Sequence, residues 1–232
     1  MLVYKQFRKF TYEDLLTDIG DNYSLRAYLG LNELPNYTTL IKFGKNLSFD
    51  LIEKIVFAFK NLISKPKKVA IDSTGISLDN ASPHYCKRIG MTFKKRPFMK
   101  TSFIVDIDTH IILLCKTRKS HANDTKEAKP MIKKLAKYYA PDILFGDRGH
   151  DDNKSFQLVS ETLGAYPLIL QRNLHVPKRR RHGPYRKKTY SVFDYSLYLQ
   201  RNKVETCNPM YKRKFGGNAK SRLCKIKKSR FY

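Results

Sequence analysis

The chain has 232 residues, enough for one well-formed core and a smaller appended module. Its hydrophobic fraction of 41% includes no apolar run near the roughly 18 residues a membrane span needs, and residues 1–10 lack the apolar stretch of a secretion signal. A protein without a membrane segment, located in the cytoplasm, is therefore expected.

Charge is the strongest compositional signal: 46 Lys and Arg against 20 Asp and Glu give a formal net charge of +26. Such an excess predicts a polyanionic partner, nucleic acid above all. A ribosomal or architectural protein would carry similar charge, so the acidic residues have to decide whether the chain is an enzyme. The four cysteines, Cys86, Cys115, Cys207 and Cys224, form no Cys-x-x-Cys pair and read as thiols. His84 and Cys86 have the separation of two metal ligands, but no second pair completes a zinc site.

In chain order, Thr11 is placed to cap a helix carrying Leu15, Leu16 and Ile19, and a second helix is expected over residues 24–31. Pro35 breaks the chain before a third helix opening at Tyr37-Thr38-Thr39. A fourth follows Leu47-Ser48, with Ile52, Ile55, Val56, Phe59 and Leu62 at helical period. These helices suit either a helix-turn-helix DNA-binding module or a plain helical cap on the core, with no pattern to separate the two. Lysines and Pro66 within residues 64–68 mark a linker, placing one domain over residues 1–66 and a second over 67–232.

The second domain changes period. Val69-Ala70-Ile71-Asp72 reads as a short strand ending at the acid, and residues 101–106 and 110–117 as a hairpin turning at Asp-Ile-Asp-Thr. A helix over 123–138 carries Ala128, Met131, Ile132, Leu135 and Ala136 on one face. A strand at Ile143-Leu144-Phe145 then runs into Gly146-Asp147, a helix spans 156–163, and a last strand covers 167–170. Short turns permit antiparallel neighbours and helical crossovers permit parallel ones, so this order predicts an α/β fold. The expected architecture is a ribonuclease H-like mixed sheet flanked by helices. Residues 177–190, with seven Lys or Arg and no acid, read as an exposed basic loop; helical spacing resumes over 191–212, ahead of a basic C-terminal tail.

Cleaving a phosphodiester requires a deprotonated oxygen nucleophile and neutralisation of charge at the phosphorus. Two Mg²⁺ ions about 3.5–4 Å apart supply both, held by a few carboxylates on one sheet edge. Asp72 and Asp147 sit where two strands are expected to end. A third acid is wanted from a neighbouring helix, and Glu205 is the candidate: Tyr198, Arg201, Glu205 and Lys212 fall at offsets of 3, 7 and 14. At about 100° per residue these four side chains share a narrow arc, polar where a core-facing stripe would be apolar. An ordinary salt-bridged helix surface accounts less well for the tyrosine and for the lysine two turns on.

Three blocks carry a resemblance: Ala70-Ile71-Asp72-Ser73-Thr74, Phe145-Gly146-Asp147-Arg148-Gly149-His150-Asp151, and residues 198–212. The chain resembles the insertion-sequence transposases of DDE type, in the prokaryotic branch named for its Tyr-Arg-Glu-Lys signature. The resemblance implies that Asp72, Asp147 and Glu205 are the catalytic acids and hold two Mg²⁺ or Mn²⁺ ions. It implies an endonuclease and strand transferase that nicks double-stranded DNA at element ends and joins the 3′-hydroxyls to target DNA, as a homodimer, in the prokaryotic nucleoid. Tyr198, Arg201 and Lys212 match residues of the signature that contact phosphates, and Arg179, Arg180, Arg181, Lys187 and Lys188 of the basic loop are further DNA-binding candidates. His150 stands where many relatives carry tyrosine; with Asp151 it is expected to support the metal-binding acids or to touch DNA. The ordinary expectation for Asp106, Asp108, Asp124, Asp151 and Asp152 is a turn, cap or surface position, with Asp106 and Asp151 the first candidates for exceptions, and Glu127 and Glu161 are expected to be solvated.

Two departures from the family pattern keep alternatives open. Pro209 removes the helical hydrogen bond to the Glu205 carbonyl and predicts a kink beyond it. Relatives continue past the basic tail, so a truncated, non-catalytic DNA-binding remnant is one alternative. Another ribonuclease H-like nuclease, such as a junction resolvase, shares the metal carboxylates and lacks only the helix signature.

Overall fold

The computed structural model describes residues 1–59, 65–77, 88, 90, 98–118, 124–172, 176–177, 180 and 183–217. They fall into two compact units, one covering Met1–Ala58 and the other lying within Phe59–Lys220.

The first unit consists of five helices: α1 (Leu2–Arg8), α2 (Tyr12–Asp21), α3 (Tyr23–Tyr28), α4 (Tyr37–Asn46) and α5 (Phe49–Ala58). Thr11 begins α2 as expected. Its hydroxyl accepts from the Asp14 backbone N–H at 3.1 Å while the Asp14 carboxylate accepts from the Thr11 N–H at 3.0 Å, a reciprocal cap that satisfies two otherwise unpaired donors. Asn22 and Asn36 cap α3 and α4 one way only, their side chains accepting from the Leu25 and Thr38 backbone N–H. Leu15, Ile19 and Leu40 are buried at the centre, with partly buried residues such as Leu2 and Phe10 around them. Helix α1 was not anticipated, because its apolar residues fall among basic ones and it buries none of them fully.

The second unit is built on a five-stranded sheet in the order β3-β2-β1-β4-β5. Its strands are β1 (Lys68–Ser77), β2 (Phe98–Asp106), β3 (Ile112–Arg118), β4 (Ile143–Gly146) and β5 (Tyr166–Ile169). Strands β1, β2 and β3 pair antiparallel, whereas β4 lies parallel to β1 and β5 parallel to β4. The β2–β3 turn falls on Asp-Ile-Asp-Thr, where Asp106 accepts from the Thr109 hydroxyl at 2.5 Å and from the Asp108 N–H at 3.3 Å. Parallel neighbours need crossovers, supplied by α6 (Asp124–Leu135) before β4 and by α7 (Asn153–Gln157), continuing as a π-helical turn (Leu158–Thr162), before β5. The result is the expected α/β ribonuclease H-like architecture.

Helix α6 buries Ala128, Met131, Ile132 and Leu135 as its periodicity predicts. Glu127 departs from expectation: it is 1% exposed rather than solvated. Lys116 and Arg118 of β3 reach it at 2.9 and 2.8 Å, a pairing across elements that helix neighbours do not reveal. Burial alone would raise the Glu127 carboxyl; the hydrogen bonds and charges of these two cations outweigh it and hold the pKa below the usual value. Phe145, Phe156, Ile71, Ile104 and Ile132 are among the largest fully buried side chains, each worth about 1.5–3 kcal/mol on removal from water.

Among the described residues, three further helices follow in this unit: α8 (Pro184–Tyr190), α9 (Tyr195–Tyr198) and α10 (Asn202–Phe215), the last two joined by a 3-10 turn at Leu199–Arg201. The segment expected to be an exposed basic loop thus contains a helix, α8, and Thr189 within it is buried. Its conformation is set by Pro184 at the first helical turn and by the Gln171 side-chain amide, which donates to the Arg186 carbonyl at 2.8 Å and to Thr189 at 3.2 Å. Helix α10 runs on to Phe215 with Pro209 inside it. Among the described residues, no helix is long and apolar enough to cross a membrane.

Candidate active site

Asp72 does not end its strand. Antiparallel pairing with β2 carries β1 on to Ser77, opposite Phe98, and Asp72 lies opposite Phe103. Asp72 is instead the first residue past the parallel β1–β4 ladder, whose last pair is Ile71 with Gly146. Asp147 follows Gly146, so the two aspartates sit side by side at one level and on one face, Asp72 within β1 and Asp147 just past β4. Gly146 keeps this junction tight: a Cβ there would lie 3.1 Å from Ile169 Cγ1 and 3.5 Å from Ile71 Cγ2.

Beyond Gly146 the chain turns into a 3-10 helix at Arg148–His150, with the Asp147 side chain as its cap; Oδ1 accepts from the Gly149 N–H at 2.9 Å. Burial raises the pKa of Asp72, and the Asp147 charge adds to the rise. Hydrogen bonding from the Ser73 backbone, the Arg201 charge and the Asn208 side chain offset it only in part. Two carboxylates side by side in a half-buried crevice, one raising the pKa of Asp72, form a site of negative potential.

Tyr198 and Arg201 adjoin this pair. Burial raises the Tyr198 hydroxyl, and Tyr198 feels both the Arg201 and the Asp147 charge; its ring packs 5.4 Å from that of Phe193. The two residues stay on one face because the 3-10 turn between them eclipses positions three apart, a different cause from the α-helical spacing expected. Arg201 donates to Glu205 Oε1 at 2.7 Å, and its charge also acts on Asp72. Glu205 itself is 57% exposed and paired to Arg201. Lys212 is half-buried two turns further along α10.

His150 is 2% exposed, with Nε2 3.7 Å from Asp147 Oδ1. Burial pushes its pKa down, Asp147 and Asp124 pull it up, Lys100 and Arg201 push it down again, and the net shift is downward. Asp151 bonds elsewhere. Its buried carboxylate accepts from Arg186 Nε and Nη2, each at 2.7 Å, and from the Arg172 N–H at 2.7 Å, which docks α8. Lys187 is half-buried and Lys188 exposed on that helix, and Arg180 is exposed; Arg179 and Arg181 lie outside the described residues, as do His84, Cys86 and Cys224. Cys115 and Cys207 are thiols, as expected.

Sequence reasoning missed Asn208, whose amide donates to Asp72 Oδ2 at 2.6 Å, and misplaced Asp124 as a peripheral acid. Asp124 pairs with Lys100 at 2.5 Å and sits against Gly149, whose missing Cβ leaves room for it. An added Cβ would lie 2.7 Å from Asp124 Oδ2 and 2.9 Å from Asp147 Oδ1. Gly149→Ala is therefore expected to displace both carboxylates and to destabilise the fold by about 1–3 kcal/mol. A thermal melt unchanged from that of the parent chain would contradict it.

Among the described residues, no group of three His, Cys, Asp or Glu side chains is gathered as a metal site. Asp72 and Asp147 nevertheless suit a hard divalent cation: both offer carboxylate oxygen, and the repulsion between them is what such an ion would relieve. Glu205 is not gathered with the two aspartates; its charge is answered by Arg201.

No curated protein matches this chain. Among solved structures, the Mos1 transposase paired-end complex with left transposon end shares 9% identity and a TM-score of 0.33, over 96% of this chain and 74% of that one. The Mos1 strand transfer complex shares 9% identity and a TM-score of 0.32, over 89% of this chain and 77% of that one. Likeness at this level carries no argument about activity. The sequence itself does: residues 63–230, well over half of the chain, match the family model described as Transposase DDE domain, and the chain belongs to that family.

Proposed function

We propose that the protein is a metal-dependent transposase of a prokaryotic insertion sequence, cutting DNA at the element ends and joining the freed 3′-hydroxyls to target DNA. The observation that carries this reading is the in-register pair Asp72 and Asp147, coupled by charge, with Arg201 and Tyr198 against them in a chain of the DDE family.

Asp72 and Asp147 would hold the divalent ions, with Glu205 joining them once Arg201 releases it. When bound, the ions would activate the attacking oxygen and neutralise charge on the leaving one. The chain's own residues bind and orient. Arg201 and Lys212 offer cationic donors to phosphate oxygens, and Tyr198 a hydroxyl. Arg180, Lys187 and Lys188 add sequence-independent attraction for the backbone, as the +26 net charge does at longer range. The N-terminal helices are assigned to DNA binding, and synapsis of two element ends calls for a homodimer on DNA.

The test is nicking of a labelled duplex that carries the element's own terminal repeat. Cuts at the repeat boundary in Mg²⁺ or Mn²⁺, absent in EDTA, are expected. Tight binding without cuts under either condition would replace this reading with that of a non-catalytic DNA-binding protein.

A further inference from the structure

Asn208 lies one helical turn beyond Glu205 on α10, and its side-chain amide donates to Asp72 Oδ2 at 2.6 Å across 136 residues of sequence. Nothing local favours an asparagine there. Asn is a poor helix former in a helix interior, and the residue before a proline is biased away from helical angles; Asn208 carries both penalties because Pro209 follows it inside α10. A residue that breaks two local rules and makes one long-range polar contact is held by that contact.

The chemistry of the bond fits a specific task. Asp72 is half-buried and its carboxylate has about four lone-pair directions to satisfy. An amide N–H occupies one on Oδ2 and the Ser73 backbone N–H another, which leaves further lone pairs for a cation. Asn208 fixes the carboxylate without adding charge, whereas Arg201, whose charge also acts on Asp72, competes with any incoming cation. Behind Asp72, the Ser73 and Ser102 hydroxyls pair with each other at 2.9 Å and form a fixed floor for this segment of β1.

We infer that Asn208 is a positioning residue that orients the Asp72 carboxylate for a divalent cation and ties the helix bearing Glu205 to strand β1. The inference rests on the metal-dependent reading of the Asp72–Asp147 pair. Hydrogen-bonded partners of this kind, removed from metal-ligating groups, typically weaken metal affinity about 10–100-fold.

The experiment is Mn²⁺ titration of the full chain by calorimetry, without DNA. Asn208→Leu, close in shape, is expected to raise the Mn²⁺ dissociation constant at least about tenfold with little change in melting temperature. In an Asp72→Asn background the same substitution should add less than about twofold, because the two residues act through one bond. Equal weakening in both backgrounds overturns the inference. A parent chain that binds Mn²⁺ and is indifferent to Asn208→Leu overturns it too, while leaving the transposase reading intact. A parent chain that binds no Mn²⁺ removes both. Independently of affinity, the Asn208 side-chain amide resonances, identified by their loss in Asn208→Leu, should shift in Asp72→Asn; resonances that stay in place rule out the bond.

Discussion

Asp147→Asn is expected to lower metal-dependent nicking by on the order of 10³-fold while fold and metal-free DNA binding are retained. Asparagine keeps the shape of the side chain and an amide oxygen able to accept the Gly149 N–H, so the cap of the Arg148–His150 turn survives. Only the charge is lost. Removing it also relieves the repulsion that raises Asp72, so the variant is expected to melt at or slightly above the parent temperature. A reduction in activity would then be a statement about chemistry rather than folding. Metal-ion catalysis supplies several kcal/mol, and about 4 kcal/mol corresponds to the 10³-fold expected. Glu205→Gln should show a comparable loss if Glu205 leaves Arg201 to join the aspartates during the reaction. Nicking by Asp147→Asn within about tenfold of the parent, measured on the terminal-repeat duplex, would remove Asp147 from the catalytic set.

Much of the framework could be read from local pattern. The reciprocal cap at Thr11, the apolar face of α6 and the Asp-Ile-Asp-Thr turn each depend on residues within a few positions of one another. So does the placement of Asp147 at the end of a strand. The length of β1 was hidden because the pairing that extends it past Asp72 comes from β2, about 30 positions away in sequence. Glu127 illustrates the same limit: its helical neighbours suggested a solvated acid, yet its charge is answered by two cations on β3. In the candidate site, Asp72, Asp147, Tyr198 and Arg201 were legible as residue types at recognisable spacings. Asn208 and Asp124 were not, since an amide in a helix or an acid beside a lysine has no signature until the tertiary fold selects its partner. The basic segment failed differently: counting like charges predicted an exposed loop, and the count gave no weight to one buried acid able to anchor Arg186.

That acid is Asp151, and Asp151→Ala is expected to lower the unfolding free energy by about 3–5 kcal/mol, the range for breaking a buried ion pair. Its side chain is 1% exposed, and truncation leaves the Arg186 guanidinium, 19% exposed, without its bidentate acceptor and the Arg172 N–H without a partner. Because Arg186 retains some contact with water, the lower end of that range is expected. In a chain of this size it corresponds to a fall in melting temperature of roughly 6–12 °C. Asp151→Asn should fall between parent and alanine, since the amide oxygen still accepts one hydrogen bond but no longer balances the charge. Replacing both partners, as in Asp151→Leu with Arg186→Met, should recover part of the loss, because the larger penalty comes from stranding one charge rather than from losing the pair. If the double variant melts as low as Asp151→Ala, the carboxylate matters chiefly for the Arg172 N–H, which leucine cannot accept. Either way, loosening α8 moves Lys187 and Lys188, so DNA affinity should fall with the melting temperature in Asp151→Ala and return with it in the double variant.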